Sequence, residues 1–155
     1  QDPLRELGFN GIYRLDPESG EVQLLERTQS RPNGIALSVD ERTLYVANSD
    51  ANNKVWYSYE VGDIGELSNQ QVFFDVNDQD GVGAADGMKI DVDGNIFATG
   101  PGGVWVFDPS GNHLGTIKPD EVPANVGWGD DGSTLYMTAR TGLYRIRLST
   151  SGLVP

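Results

Sequence analysis

The sequence contains no cysteine and a single histidine, His113, among 155 residues. Without cysteine there can be no disulfide, no zinc–thiolate site and no thiol nucleophile. One histidine excludes every multi-histidine metal site and most histidine-based catalysis. A chain without cysteine fits a cytoplasmic protein and an exported bacterial protein equally well, so the compartment stays open.

Long hydrophobic runs are also missing. No stretch approaches the roughly 18 consecutive apolar residues of a membrane-spanning helix, and Gln1-Asp2-Pro3 does not begin a signal peptide. The hydrophobic share of 37% is nevertheless enough for a folded core. We therefore expect a globular domain without a membrane partner.

Positive charge is scarce, because 11 basic residues face 23 acidic ones and give a net charge of −12. Such a chain repels nucleic-acid phosphates, so we expect no nucleic-acid partner. The acidic balance mildly favours cation binding. A solvated acidic surface is the more frequent cause of such an excess.

One sequence pattern occurs three times. In each copy a polar residue opens a strand, an acidic turn follows, and the next strand ends in small residues. The three polar residues are Asn33, Asp86 and Asn125, at spacings of 53 and 39 residues. In the central copy, Met88, Ile90 and Val92 alternate with polar residues as in a strand. Spacings of this size are typical of the blades of a β-propeller.

The alternation predicts an all-β fold of antiparallel strands and no helix. We interpret the whole of 1–155 as one partial β-propeller domain. Residues 1–30 supply two outer strands of an incomplete blade, 31–77 and 83–118 supply four-stranded blades, and 121–148 supply a second incomplete blade. The predicted strands are residues 11–15, 21–25, 34–38, 43–47, 54–60, 71–76, 87–91, 95–99, 103–108, 113–117, 125–129, 134–139 and 142–148.

About three blades cannot close a propeller ring, which typically needs 4–8. Both ends of such an arc would present open strand edges and uncovered apolar faces. We therefore expect a homodimer, or pairing with a missing N-terminal half.

The innermost strand of each blade starts at one end of the central channel, so Asn33, Asp86 and Asn125 should converge there. Carboxylate and amide oxygens suit a hard divalent cation such as Ca²⁺, which takes about 6–8 oxygen ligands. The alternative is that Asn-Gly and Asp-Gly are simply turn dipeptides.

Four segments of the chain resemble the senescence-marker-protein/gluconolactonase family, which includes regucalcin. They are RPNGIA at 31–36, DGMKID at 86–91, GPGGVWV at 100–106 and GLYRI at 142–146. The likeness runs from Gly11 to Leu148 and covers the later half of the family's usual length. The resemblance implies a six-bladed propeller that hydrolyses a small-molecule, sugar-type lactone with one divalent metal on its axis.

The resemblance also implies roles for single residues. Asn33 matches the metal-binding Asn of the family's RPNG motif, and Asp86 matches the Asp that binds metal and is the proposed general base. Asn125 is a candidate for lining the substrate pocket. Calcium is the expected ion, with zinc, manganese and magnesium as alternatives. The family's Glu ligand and its upstream Asn and Arg have no counterpart, so we expect activity to need the missing half or self-assembly.

A second class of function fits the same residues. The chain could be a non-catalytic half-propeller that binds metal or another protein and self-associates, because propellers are common interaction platforms. A lactonase assay with and without Ca²⁺ separates this reading from the enzyme.

Overall fold

The computed structural model describes residues 3–153, which contain thirteen β-strands and no helix. Gln1 and Asp2, at the start of the first predicted unit, lie outside the described residues, as do residues 154 and 155. Within residues 3–153 there is accordingly no helix with the length and apolar character needed to cross a membrane.

The strands form four separate antiparallel sheets, each built from strands that follow one another in the chain. We call them the leading hairpin (β1–β2), sheet I (β3–β6), sheet II (β7–β10) and sheet III (β11–β13). The strands are β1 Ile12–Leu15, β2 Val22–Glu26, β3 Pro32–Leu37, β4 Thr43–Asp50, β5 Asn53–Val61, β6 Leu67–Asp75, β7 Met88–Ile90, β8 Ile96–Gly100, β9 Gly103–Phe107, β10 His113–Ile117, β11 Pro123–Gly129, β12 Thr134–Ala139 and β13 Gly142–Arg147.

All thirteen predicted strands are present, and they differ from the prediction mainly at two boundaries. The predicted loop 48–53 is much shorter, because the β4–β5 ladder continues through Ser49↔Lys54 to Asp50↔Asn53. Strand β6 begins at Leu67 rather than at residue 71, because Leu67 pairs with Val61. Cross-strand pairing therefore extends both elements into segments whose polar sequence indicated a loop.

Sheets I and II pack face to face through the largest apolar cluster. Trp56 and Phe107 lie at its centre, with ring centroids 5.3 Å apart in an edge-to-face arrangement. Both are essentially inaccessible to solvent. Burying a side chain of this size stabilises the fold by about 2–3 kcal/mol, so this interface is a main source of stability.

Sheets II and III share a second cluster. Phe97 and Val104 of sheet II pack against Val126, Leu135 and Met137 of sheet III. Because successive side chains of a strand point to opposite faces, Phe97 faces sheet III while its neighbours Ile96 and Ala98 face sheet I. Sheet II is therefore apolar on both faces, as a central layer requires.

The outward face of sheet I is only partly covered. Ile12 of the leading hairpin packs on Leu44, Val46 and Tyr59. Beside this contact an apolar groove of about 320 Å³ separates the hairpin from sheet I. Ile35 and Leu37 of β3 line the groove and remain 48% and 41% exposed.

The outward face of sheet III has a different composition. Register places Tyr136 beside Arg145 and Thr138 beside Leu143 on this face. Arg145 and Leu143 are exposed. The two ends of the array therefore differ chemically, with an apolar groove at one and a largely polar face at the other.

Asp91 departs from the predicted alternation of the central repeat. The alternation would put Asp91 on the strand face opposite Met88, Ile90 and Val92, but Asp91 is fully buried whereas Val92 is 50% exposed. The cause is that β7 ends at Ile90, so residue 91 begins a turn. Its carboxylate accepts hydrogen bonds from the backbone N–H groups of Asp93 and Asn95 and from the Thr150 hydroxyl.

The segment after β13 does not trail away from the fold. Ser151 O accepts the Val92 N–H at 2.9 Å, and Gly152 forms a bridge with Asp91. A Cβ at Gly152 would lie 1.8 Å from the Trp128 ring, so only glycine fits there without displacement. Residues 149–153 therefore tie the turn of sheet II to sheet III.

The innermost strands β3 and β7 approach closely at Gly34. A Cβ on Gly34 would lie 2.0 Å from the Asp86 carbonyl oxygen. We expect Gly34→Ala to lower the free energy of unfolding by about 2 kcal/mol or more, because relief requires the two backbones to separate. Urea denaturation measures this loss. Gly127→Ala is the control, since a Cβ there meets nothing within 4 Å. Equal stabilities of the two variants would contradict the close approach.

Candidate metal centre

Three innermost strands bring the predicted site residues to the same end of the array. Asn33 is the second residue of β3, Asp86 precedes β7 by two residues, and Asn125 is the third residue of β11. Gly34 contacts the backbone of Asp86. Gly87 lies against the Asn125 amide, which a Cβ on Gly87 would meet at 2.0 Å. Glycine follows both Asn33 and Asp86, and the absence of a Cβ at Gly34 and Gly87 allows the inner strands to lie this close.

Asn33 is exposed and is held by a neighbour on β4. Its Nδ2 donates a hydrogen bond to Ser49 Oγ at 3.0 Å. Ser49 Oγ in turn donates to the carbonyl oxygen of Ala85. The side chain of Asn33 is thus linked through Ser49 to the backbone of Ala85, the residue before Asp86.

Asp86 is half-buried at the start of β7. Burial raises the pKa of its carboxyl above the ordinary value, and a hydrogen bond from the Asn33 side chain opposes part of that increase. Its backbone N–H donates to Thr99 O at 3.0 Å, which fixes the main chain at the carboxylate. The carboxylate is therefore held at a defined position with only glycine and alanine as sequence neighbours.

Thr99 lies near the end of the second strand of sheet II, and its hydroxyl, like that of Ser49, bonds to a main-chain carbonyl of the next sheet. Its fully buried hydroxyl lies 3.1 Å from the carbonyl oxygens of both Gly87 and Ala124. Ala124 precedes Asn125 just as Ala85 precedes Asp86. A hydroxyl at the end of β4 and another at the end of β8 therefore each reach the inner strand of the next sheet. Ser49 and Thr99 are each the next-to-last residue of the second strand of their sheet, but the predicted strand 43–47 ended before Ser49.

Asn125 is exposed and differs from Asn33 in its bonding. Its Oδ1 accepts the N–H of Val126 at 2.8 Å, within its own strand. The oxygen thus has one lone pair in use, while the Nδ2 group has two hydrogens to donate to a ligand. This bonding suits a hydrogen-bond donor in a pocket better than a metal ligand.

Asn48 is a supporting residue that the sequence reasoning assigned to a loop. It is fully buried, its Oδ1 accepts the Arg31 N–H at 2.8 Å, and its Nδ2 donates to Asn53 O at 2.7 Å. These bonds fix the chain that leads into β3. Asn48 therefore helps to fix the start of β3 and with it the position of Asn33.

The chemistry of this end of the array is that of oxygen donors. It offers the Asp86 carboxylate and the Asn33 amide, and no group of three or more His, Cys, Asp or Glu side chains suited to a metal occurs in residues 3–153. A carboxylate and an amide oxygen fit a hard cation such as Ca²⁺, whose remaining ligands can be water. They do not suit a thiolate- or imidazole-dependent metal.

The family model, the curated proteins and the solved structures that match this chain include the same group of proteins, the gluconolactonases. Residues 2–141 match the model of the SMP-30/Gluconolactonase/LRE-like region. The chain is 38% identical over 159 aligned residues to a gluconolactonase of Zymomonas mobilis, an alignment that covers 98% of this chain and 44% of that protein. The chain therefore spans less than half the length of the curated relatives it matches.

Solved structures agree with the predicted all-β propeller fold. A gluconolactonase of Xanthomonas campestris superposes with a TM-score of 0.84 at 30% identity, over 92% of this chain and 46% of that one. The calcium-binding protein regucalcin of Agrobacterium tumefaciens superposes with a TM-score of 0.75 at 24% identity, over 92% of this chain and 52% of that one. The second likeness supports the fold alone.

Proposed function

Because the chain belongs to the SMP-30/gluconolactonase/LRE-like family, we propose that it carries the metal-binding part of a hydrolase for sugar-type lactones. The observation that carries the proposal is the adjacency of Asn33 and Asp86 at the starts of β3 and β7. Two oxygen donors that start neighbouring inner strands and are linked through Ser49 support a cation site at this position.

Asn33 and Asp86 hold the divalent cation in this proposal. Calcium is the preferred ion because both donors are hard oxygens, while manganese, magnesium and zinc also accept oxygen ligands. When bound, such an ion polarises a carbonyl group and lowers the pKa of water.

The remaining chemistry belongs to side chains of this chain. Asp86 is the general base that accepts a proton from the attacking water, a role that needs a carboxylate at the reacting centre. Asn125 directs its Nδ2 toward the lactone and donates a hydrogen bond, since its oxygen is engaged by Val126. Asn33 keeps the ion beside Asp86.

Two protein donors leave most of a calcium shell unfilled. The relative from Zymomonas mobilis is more than twice as long as the matched part, since the alignment covers 44% of it. We therefore propose that further ligands and substrate contacts come from additional propeller strands or from a second copy. The same reasoning keeps a non-catalytic, self-associating half-propeller as the second candidate, favoured by the apolar groove between the leading hairpin and sheet I.

A divalent cation should raise the melting temperature, because it binds the folded state preferentially. At about ten times the dissociation constant the gain is about 1.4 kcal/mol, or about 3 °C for a domain of this size. Asp86→Ala should abolish the rise measured by differential scanning fluorimetry with CaCl₂. Asp93→Ala, in the turn at the opposite end of sheet II, should retain it. Equal responses of the two variants would overturn the ligand assignment.

An isolated monomer should hydrolyse glucono-δ-lactone at a rate indistinguishable from the uncatalysed reaction, with or without Ca²⁺. The reason is that one carboxylate and two amides provide too few contacts for metal and substrate together. A pH-stat assay on fractions verified as monomer measures the rate. Substantial turnover by the monomer would mean that additional strands are dispensable.

The chain should self-associate through the apolar groove, with a second copy as the occupant. Light scattering over a concentration series should show growing mass, and added salt should promote association by screening the net charge of −12. Leu37→Gln, in the groove, should weaken association more than Leu143→Gln on the outward face of sheet III. A compact monomer at every concentration, with a cooperative melt, would refute the half-propeller interpretation.

A further inference from the structure

The hydroxyl of Ser49 lies between the two proposed ligands and bonds to both segments. Ser49 belongs to β4, where its backbone N–H donates to Arg31 O at 2.8 Å. Its Oγ contacts Asn33 Nδ2 at 3.0 Å and the carbonyl oxygen of Ala85. One side chain of sheet I thus joins the start of β3 to the residue before Asp86.

A hydroxyl group has one proton to donate, and this fact fixes the orientation of the amide. The Ala85 carbonyl can only accept, so the Ser49 proton must go there. Ser49 Oγ can then only accept from Asn33, which requires Nδ2 to face Ser49 and Oδ1 to point away from it. Nδ2 carries two hydrogens, so it also remains able to serve the Asp86 carboxylate described above.

We propose that Ser49 is a positioning residue for the cation, because it holds the Asn33 amide with Oδ1 turned outward as a ligand. This inference rests on the proposed function. Donation to Ala85 makes the Ser49 oxygen a better acceptor, and withdrawal of electrons through a coordinated Oδ1 makes the Nδ2–H a better donor. The bonds from Asn33 through Ser49 to Ala85 therefore strengthen one another when an ion binds.

Thr99 shows what the same position does without an amide to orient. Its hydroxyl contacts two main-chain carbonyls, of Gly87 and Ala124, and so links sheets II and III. Asn125 instead has its oxygen bonded within its own strand. Ser49 makes the same kind of link between sheets and in addition bonds the Asn33 side chain, a bond that Thr99 does not make to Asn125.

The experiment compares Ser49→Ala, which removes the hydroxyl, with Ser49→Thr, which keeps it. Ser38→Ala is the matched control, because Ser38 lies at the opposite end of sheet I and its hydroxyl also donates and accepts, to Asp40 at 2.6 Å and from Thr43 N–H at 2.9 Å. Mn²⁺ is the probe, since its paramagnetism broadens nearby NMR signals even when binding is weak. Titration followed at the amides of Gly34 and Gly87 gives the dissociation constant for each variant.

Ser49→Ala should weaken Mn²⁺ binding by about 10–100-fold, the usual cost of losing a group that orients a ligand. Ser49→Thr and Ser38→Ala should bind as the wild-type chain does. The two Nδ2 protons of Asn33, one of them bonded to Ser49, should resonate further apart in the wild type than in Ser49→Ala. If Ser49→Ala and Ser38→Ala lower the melting temperature equally, weaker Mn²⁺ binding in Ser49→Ala alone cannot come from lost stability and supports the positioning role.

The outcomes distinguish the two proposals. Unchanged Mn²⁺ affinity in Ser49→Ala, alongside loss of binding in Asp86→Ala, would overturn the role of Ser49 and leave the cation site intact. No specific broadening in the wild-type chain would overturn the cation site and the role of Ser49 together. A Ser49→Thr variant as weak as Ser49→Ala would show that the hydroxyl is not the cause.

Discussion

The close approach of the inner strands is the constraint on which the rest of the structure depends. Gly34 lies against the carbonyl of Asp86, and Gly87 lies against Asn125, at distances that leave no room for a Cβ. Buried apolar faces hold the sheets together, but they do not set which residues meet at the inner edge. The glycines and the hydroxyls of Ser49 and Thr99 set this, because each hydroxyl bonds to one particular carbonyl of the next sheet.

The strand pattern could be predicted because each sheet is antiparallel and local, so alternation along the chain directly indicates which residues pair. The candidate site could be located because Asn33, Asp86 and Asn125 occupy matching places in a repeat. Ser49 could not be identified from the sequence, because its proposed role depends on Ala85 and Asn33 approaching it in space. The burial of Asp91 was likewise hidden, because one of its partners, Thr150, lies 59 residues along the chain.

The proposed site would take its donor groups from three neighbouring sheets. Sheet I supplies an amide, sheet II a carboxylate, and sheet III an amide already bonded through its oxygen. No single sheet would hold all three donors, so the proposed site requires the inner strands to be assembled.

The unlike ends of the array have a consequence for symmetry. A head-to-tail contact would bring the groove with Ile35 and Leu37 against the face with Arg145, where Glu41 is the one acidic residue, among the described residues that line the groove, that could pair with the buried arginine. A two-fold contact brings groove to groove and leaves both arginine faces in water. Two copies joined in this way would form a closed, isologous pair, whereas head-to-tail contacts continue into a filament unless the rotation between copies closes a ring. The chemical difference between the ends therefore limits assembly as well as favouring it.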